Sequence, residues 1–226
     1  MPSADPDRPV KVLVVDDDFL AREAIKAMLH PHADLEVVGT AGGGIEAIGF
    51  ARATRPDVVL MDVQMPGMDG VESTRALLGQ VETQVVAMTS LATSETVWRM
   101  IDAGAYGYVL KDDAPADLAR AVRTVARGDA FLSPRHTREL LERSGSDATS
   151  DARRTAAQLF DGLSERERVA ARHVAAGASD AEIAAAMHVA LSTAKAHVQQ
   201  AREKLGARNR TQIAVVVERA GQTPAL

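Results

Sequence analysis

The chain has 226 residues, 46% apolar and 25% charged, enough for one large domain or two modest ones that each bury a core. It contains no Cys, which excludes disulfides, thiolate metal sites and Cys nucleophiles. No apolar run approaches the roughly 20 residues a membrane span needs, and Met1 to Pro9 is acidic and Pro-rich, so a cytoplasmic location without membrane association is expected. The net charge of −5 hides an asymmetry: residues 1–151 hold 15 Lys+Arg against 24 Asp+Glu, and residues 152–226 hold 11 against 7. An acidic part of charge −9 is joined to a basic part of +4, and a basic domain attracts polyanions, nucleic acid being the common partner.

In chain order, strand Lys11 to Val15 leads to a helix at Phe19 to Leu29, whose apolar positions are Leu20, Ala24, Ala27 and Met28. Strand Leu35 to Val38 is followed by a helix at Gly44 to Ala53, strand Val58 to Met61 by one at Val71 to Leu78, and strand Val85 to Met88 by one at Ser94 to Ala103. Strand Tyr106 to Leu110 then leads to a helix opened by Pro115 and closed by Gly128. Short Val-rich strands alternating with amphipathic helices imply an α/β fold, a five-stranded parallel doubly wound sheet with right-handed crossovers.

A short helical piece, Ser133 to Arg143, precedes the linker Ser144 to Asp151, where every period is interrupted. Beyond it the pattern is all-α. Ser164 with Glu167 and Ser179 with Glu182 form S-x-x-E capping boxes, and Asn209 with Gln212 is a looser version. Gly177, Gly206 and Gly221 supply stops, giving helices near 165–176, 180–186, 193–205 and 210–220.

Polar groups stand at the C-terminal ends of the apolar strands: Asp16 and Asp17, Asp62, Thr89 and Ser90, and Lys111. In an open parallel sheet those ends share one edge, where ligands bind. Two or three carboxylates there can hold a divalent cation through hard oxygen ligands, a Lys adds positive charge, and a hydroxyl can bond a phosphoryl oxygen. Asp18 reads as the cap of the first helix. The six His show no ligand spacing, Trp98 on a helix flank reads as half-buried packing or part of an interaction face, and Gly42 to Gly44 reads as a turn.

The segments VLVVDD, DVVLMDVQMPGMDG, VVAMTS and GAYGYVLKDD resemble the receiver domain of two-component response regulators over residues 10–130. The resemblance implies that Asp62 is the phosphoacceptor. It implies further that Asp16, Asp17, Asp62 and the backbone carbonyl of Gln64 hold Mg²⁺, that Thr89 and Lys111 contact the phosphoryl group, and that Tyr108 is a switch aromatic that turns inward when Thr89 moves toward the phosphate. Gln64 stands where an aspartyl-phosphate hydrolase needs an acid/base, so the chain is not expected to be an enzyme of that kind.

Residues 162–220 resemble the LuxR-type helix-turn-helix domain of NarL/FixJ regulators through Leu163-Ser164-Glu165-Arg166-Glu167, Glu182-Ile183-Ala184, Lys204-Leu205-Gly206 and Arg210-Thr211-Gln212. Ala194, Val198, Ala201 and Leu205 share one helical face and leave Ser192, Lys195, Ala196, Gln199 and Arg202 on the other, as a helix reading the major groove requires. By resemblance Lys195, Ala196 and Gln199 face base edges or nearby phosphates, while Thr193, Arg208 and Arg210 hold the backbone, and the last helix contributes to a dimer. The chain departs from the family where Ala190-Leu191 replaces Ser-Glu, so Ser192 is expected to act as the cap, and where Ala194 and Ala201 replace larger aliphatics.

The resemblance divides the chain into a receiver at 8–132, a linker with a short helix at 133–158 and a DNA-binding domain at 159–222. It implies a response regulator transcription factor, phosphorylated by a sensor histidine kinase and binding promoter double-stranded DNA as a homodimer. The alternative is an orphan regulator that acts without phosphorylation, binding DNA constitutively or under ligand or protein control.

Overall fold

A computed structural model describes residues 8–90, 94–132 and 150–222, which fall into two compact units, one on each side of residue 133. In the first unit, strands β1 (Val10–Val15), β2 (Leu35–Ala41), β3 (Val58–Asp62), β4 (Gln84–Thr89) and β5 (Gly107–Leu110) alternate with helices α1 (Phe19–Leu29), α2 (Gly44–Thr54), α3 (Gly70–Leu78), α4 (Ser94–Ala103) and α5 (Ala114–Ala126). The strands are all parallel in the order β2-β1-β3-β4-β5. A two-residue strand β6 (Phe131–Leu132), not expected from the sequence, joins the β5 edge after Gly128 turns the chain at a φ of 86°. That conformation favours Gly.

Val12 to Val15, Val58 to Met61 and Val85 to Met88 are fully buried, as strands covered on both faces must be. The apolar face expected for α1 is corrected: Ile25 and Leu29 are the buried residues, with Met28 packed beside them, whereas Leu20 is 72% exposed and Ala24 and Ala27 are exposed. Ile25, Met28 and Leu29 follow the i, i+3, i+4 spacing of one helix stripe, and that stripe lies on the sheet. Asp18 caps this helix as expected, accepting a hydrogen bond from the Leu20 N–H.

The piece expected at Ser133 to Arg143 lies outside the described residues. In the second unit, residue 158, the expected end of the linker, lies inside helix α6 (Ser150–Asp161), which packs on the last helix and buries Ala156 and Phe160. Those two residues, four apart, lie on one face of the helix. Helices α7 (Glu165–Ala175), α8 (Asp180–Met187), α9 (Leu191–Lys204) and α10 (Arg210–Arg219) follow. Both capping boxes form, and the Asn209 side chain accepts from the Gln212 N–H.

Between α8 and α9, His188 takes the left-handed conformation (φ 53°), and α9 begins at Leu191, with Ala190 at the cap position and no side chain bonded there. The expected cap at Ser192 is therefore corrected. The N–H groups of Thr193 and Ala194 already bond to the Ala190 carbonyl, which places Ser192 inside the first turn. Ala194 and Ala201 are fully buried and Leu205 nearly so, against Ile183, Ile213 and Val217.

Two ion pairs clamp these helices. The Lys204 ammonium sits 2.8 Å from the buried Glu167 carboxylate, which also accepts from the Ser164 N–H. Arg210, only 9% exposed, donates to Asp180 at 2.6 Å and to the Ala178 carbonyl. The hydrogen bond from Lys204, outweighing the opposing effect of burial, holds the Glu167 carboxyl below the usual glutamate range. A lowered folded-state value means stability that is present above the unfolded pKa and lost as pH falls through the folded one. Glu167→Gln is accordingly expected to weaken the second unit by about 1 to 3 kcal/mol at pH 7. The gap from wild type should close below about pH 4.5, as read by amide hydrogen exchange of residues 164–205.

Candidate functional site

Parallel pairing of β1 with β3 sets Asp16, just after Val15, beside Asp62 at the end of β3. The Asp16, Asp17 and Asp62 carboxylates each place an oxygen within 4.8 Å of the others, Asp17 being exposed and the other two buried. Lys111 follows β5 and reaches across β4, its ammonium 2.6 Å from Asp16 and 3.2 Å from Asp62. Asp16, Asp17, Asp62 and Lys111 are thus brought together, Thr89 closes β4 at 1% exposure, and Ser90 beyond it is exposed.

Like charges held this close oppose ionisation, and burial opposes it further. Burial pushes the Asp62 carboxyl up, with Asp16 adding to the rise and with Lys111 and the Gln64 N–H opposing it. For Lys111 burial works against the charge, but hydrogen bonding and attraction to Asp16 and Asp62 outweigh it and raise its pKa. The cluster is therefore short of positive charge, which is the condition for cation binding. A hard divalent ion fits this donor set of close carboxylate oxygens.

Tyr108 points inward at 2% exposure, with its hydroxyl near Thr89. Burial lifts the phenol to about 12. Thr89 ends β4 and Tyr108 lies on the adjacent β5, so a change that draws the Thr89 hydroxyl toward Asp62 alters the space beside a buried ring two strands from the acidic edge.

In the second unit, Thr193, Lys195, Ala196 and Gln199 are all exposed on α9, on the sides away from Ala194, Ala201 and Leu205. Arg208, just beyond the helix, is exposed as well. Together they present a small, polar and partly cationic surface on the second helix of a helix-turn-helix.

Residues 12–123 match the response regulator receiver domain, and residues 161–217 match the luxR family of bacterial regulatory proteins. The chain is 34% identical over 214 residues to an uncharacterised transcriptional regulatory protein of Bacillus subtilis, YxjL, covering 94% of this chain and 96% of that one. It is 36% identical over 207 residues to the response regulator protein VraR of Staphylococcus aureus, covering 91% and 95%. The crystal structure of the response regulator ChrA, from a heme-sensing two-component system, is similar at a TM-score of 0.52 and 28% identity, over 95% of this chain and 98% of that one.

The chain belongs to the response regulators. A receiver followed by a LuxR-type domain makes this response regulator a transcription factor controlled by phosphorylation. Nothing in its relatives favours the orphan alternative.

Arg210 is a correction to the expected DNA contacts of this response regulator. Its guanidinium is turned inward onto Asp180 and Ala178, where it joins the start of α10 to the start of α8. The residue type suits phosphate, but one guanidinium nitrogen is taken by a carboxylate 30 positions earlier in the chain and another by a carbonyl. Two residues of the acidic edge were not singled out from sequence. Arg22 on α1 donates to the Asp16 carbonyl at 2.5 Å and lies over the Phe19 ring, tying down the acidic loop. Gly70 at the start of α3 is the second: a Cβ there would lie 2.2 Å from the Asp62 carbonyl oxygen. Its place in the Asp69-Gly70 pair is the available signal, since Gly at a helix start often marks close backbone approach.

Gly70→Ala is expected to push α3 off the end of β3, lowering stability by about 1 to 3 kcal/mol and weakening divalent-cation binding at the acidic edge. Thermal unfolding with and without Mg²⁺ measures both. Because the Asp62 pKa is raised in the fold, its ionised form is disfavoured at neutral pH, and stability is lost as pH rises through the folded value. In metal-free buffer Asp62→Asn should therefore melt above wild type at pH 7, with the difference vanishing below about pH 3.8.

Proposed function

We propose that Asp62 accepts a phosphoryl group from a phosphohistidine of a sensor histidine kinase and that this controls how the α9 surface engages promoter DNA. The observation that supports it most is the convergence of Asp16, Asp17, Asp62 and Lys111 within a few ångströms at one sheet edge. Asp62, like Asp16, has both an ammonium and a backbone N–H directed at it, and it is the one of the two that the receiver motif makes the acceptor. Its oxygen attacks phosphorus as the phosphorus–nitrogen bond to the imidazole breaks, and the charge on the phosphoryl oxygens is met by Lys111. Asp16, Asp17, Asp62 and the Gln64 carbonyl would hold Mg²⁺. When bound, that ion neutralises the carboxylates and the incoming phosphate together.

Thr89 senses the phosphoryl group through its hydroxyl, and Tyr108, already inward, is held there more firmly when Thr89 bonds the phosphate. For this to act as a switch, phosphate must favour one receiver state; moving the population from 1:99 to 99:1 takes about 5.5 kcal/mol of differential binding. Lys195, Ala196 and Gln199 then face the major groove, with Thr193 and Arg208 on the phosphate backbone. The receiver spans 8–132, the linker precedes α6, and the active species on DNA is a homodimer. The protein acts in the cytoplasm and has no enzymatic turnover of its own. Among the described residues no helix is long and apolar enough to cross a membrane.

The test is full-length protein treated with acetyl phosphate and Mg²⁺, followed by intact mass and by titration with DNA selected from a random library. Wild type should gain one phosphoryl group and bind DNA at least tenfold more tightly, whereas Asp62→Asn gains neither. Tyr108→Phe should still be phosphorylated while showing a smaller rise in DNA affinity. Equal affinity in the two states of the wild type would sink the coupling.

A further inference from the structure

Resting on the reading of α9 as the DNA-reading helix, we propose that Glu203 is a positioning residue that sets the base preference of Gln199, making it select adenine and reject guanine. Gln199 and Glu203 are one helical turn apart and both exposed, and the Gln199 Nε2 donates to the Glu203 Oε1 at 2.6 Å. The orientation of the amide follows from chemistry alone. An ionised carboxylate only accepts, so the NH₂ group must face it and the carbonyl oxygen must turn away.

The amide that remains to face a ligand therefore offers one acceptor, Oε1, and one N–H. On the major-groove edge adenine presents a donor at N6 beside an acceptor at N7, the complement of that pair. Guanine presents two acceptors, O6 and N7, and to satisfy both the NH₂ would have to turn into the groove and leave Glu203. Ser192 and Ala196, exposed on the same side of α9, are too small to screen the amide. Glu203 also places a negative charge among residues whose balance is 11 basic to 7 acidic, which opposes binding to any duplex. It lowers affinity for DNA in general while narrowing the choice of base, the signature of a residue acting on specificity.

The experiment is selection from a random duplex library by full-length wild type, Gln199→Ala, Glu203→Ala and Glu203→Gln. Titration of the selected duplex and its single-base variants follows. Wild type is expected to favour adenine over guanine by about tenfold at one position of the site, and Gln199→Ala to lose that preference. Glu203→Ala should admit guanine there, to within about threefold of adenine. Glu203→Gln can donate to the amide as well as accept from it, so it no longer fixes the orientation and should admit guanine as Glu203→Ala does, and both Glu203 variants bind all duplexes more tightly because a negative charge is gone. A merely structural role for Glu203 would change affinity without changing the preferred base. An unchanged preference in Glu203→Ala, or a Gln199-dependent position that prefers guanine, overturns the proposal while leaving the DNA-binding reading intact. Failure of every protein to enrich any sequence, phosphorylated or not, overturns that reading and this proposal with it.

Discussion

The receiver half depends on one electrostatic constraint: Asp16 and Asp62, both buried, sit side by side with a single ammonium between them. Water cannot screen such a pair, so the protein must supply counter-charge by geometry. The parallel strand order does this, because β1 and β3 bring the carboxylates together while β5 carries Lys111 to the same edge. The second unit solves the opposite problem, using carboxylates to anchor basic side chains of a DNA-reading domain.

Much of this was legible because the sequence carries two strong periodicities. Fully apolar Val-rich runs ending in Asp, Thr or Lys specify buried parallel strands and an edge, and that edge is where the site lies. The capping boxes were equally plain, since Ser164 with Glu167 and Ser179 with Glu182 leave little choice about where α7 and α8 begin. Such signals are local: the residues that carry them bond to neighbours three positions away.

What was not legible depends on distant partners or on space. Arg210 looks like a phosphate ligand until Asp180 is placed against it, and no pattern in the intervening residues announces that pairing. Helix α6 buries Ala156 and Phe160 while Leu159 stays exposed, so which side is covered appears only when α10 supplies the other surface. Ser192 was a reasonable cap by residue type, yet the Ala190 carbonyl closes the turn first. Gly70 is required by an approach of backbone to backbone, which leaves no trace in hydropathy. Tyr108, expected from the sequence to be a switch aromatic, is buried on β5.

The two clamps, Lys204 on Glu167 and Arg210 on Asp180, lie on either side of the turn that joins α9 to α10. A helix held at its far end by one ion pair, with the next helix fastened to α8 by another, is restrained from tilting before any ligand arrives. The entropy of orienting the reading surface is thus lost during folding, so it does not recur as a cost on each encounter with DNA. Dissociation, not rearrangement, then sets how long such a surface stays on a site, and changes in affinity among operators should be expressed as changes in residence time.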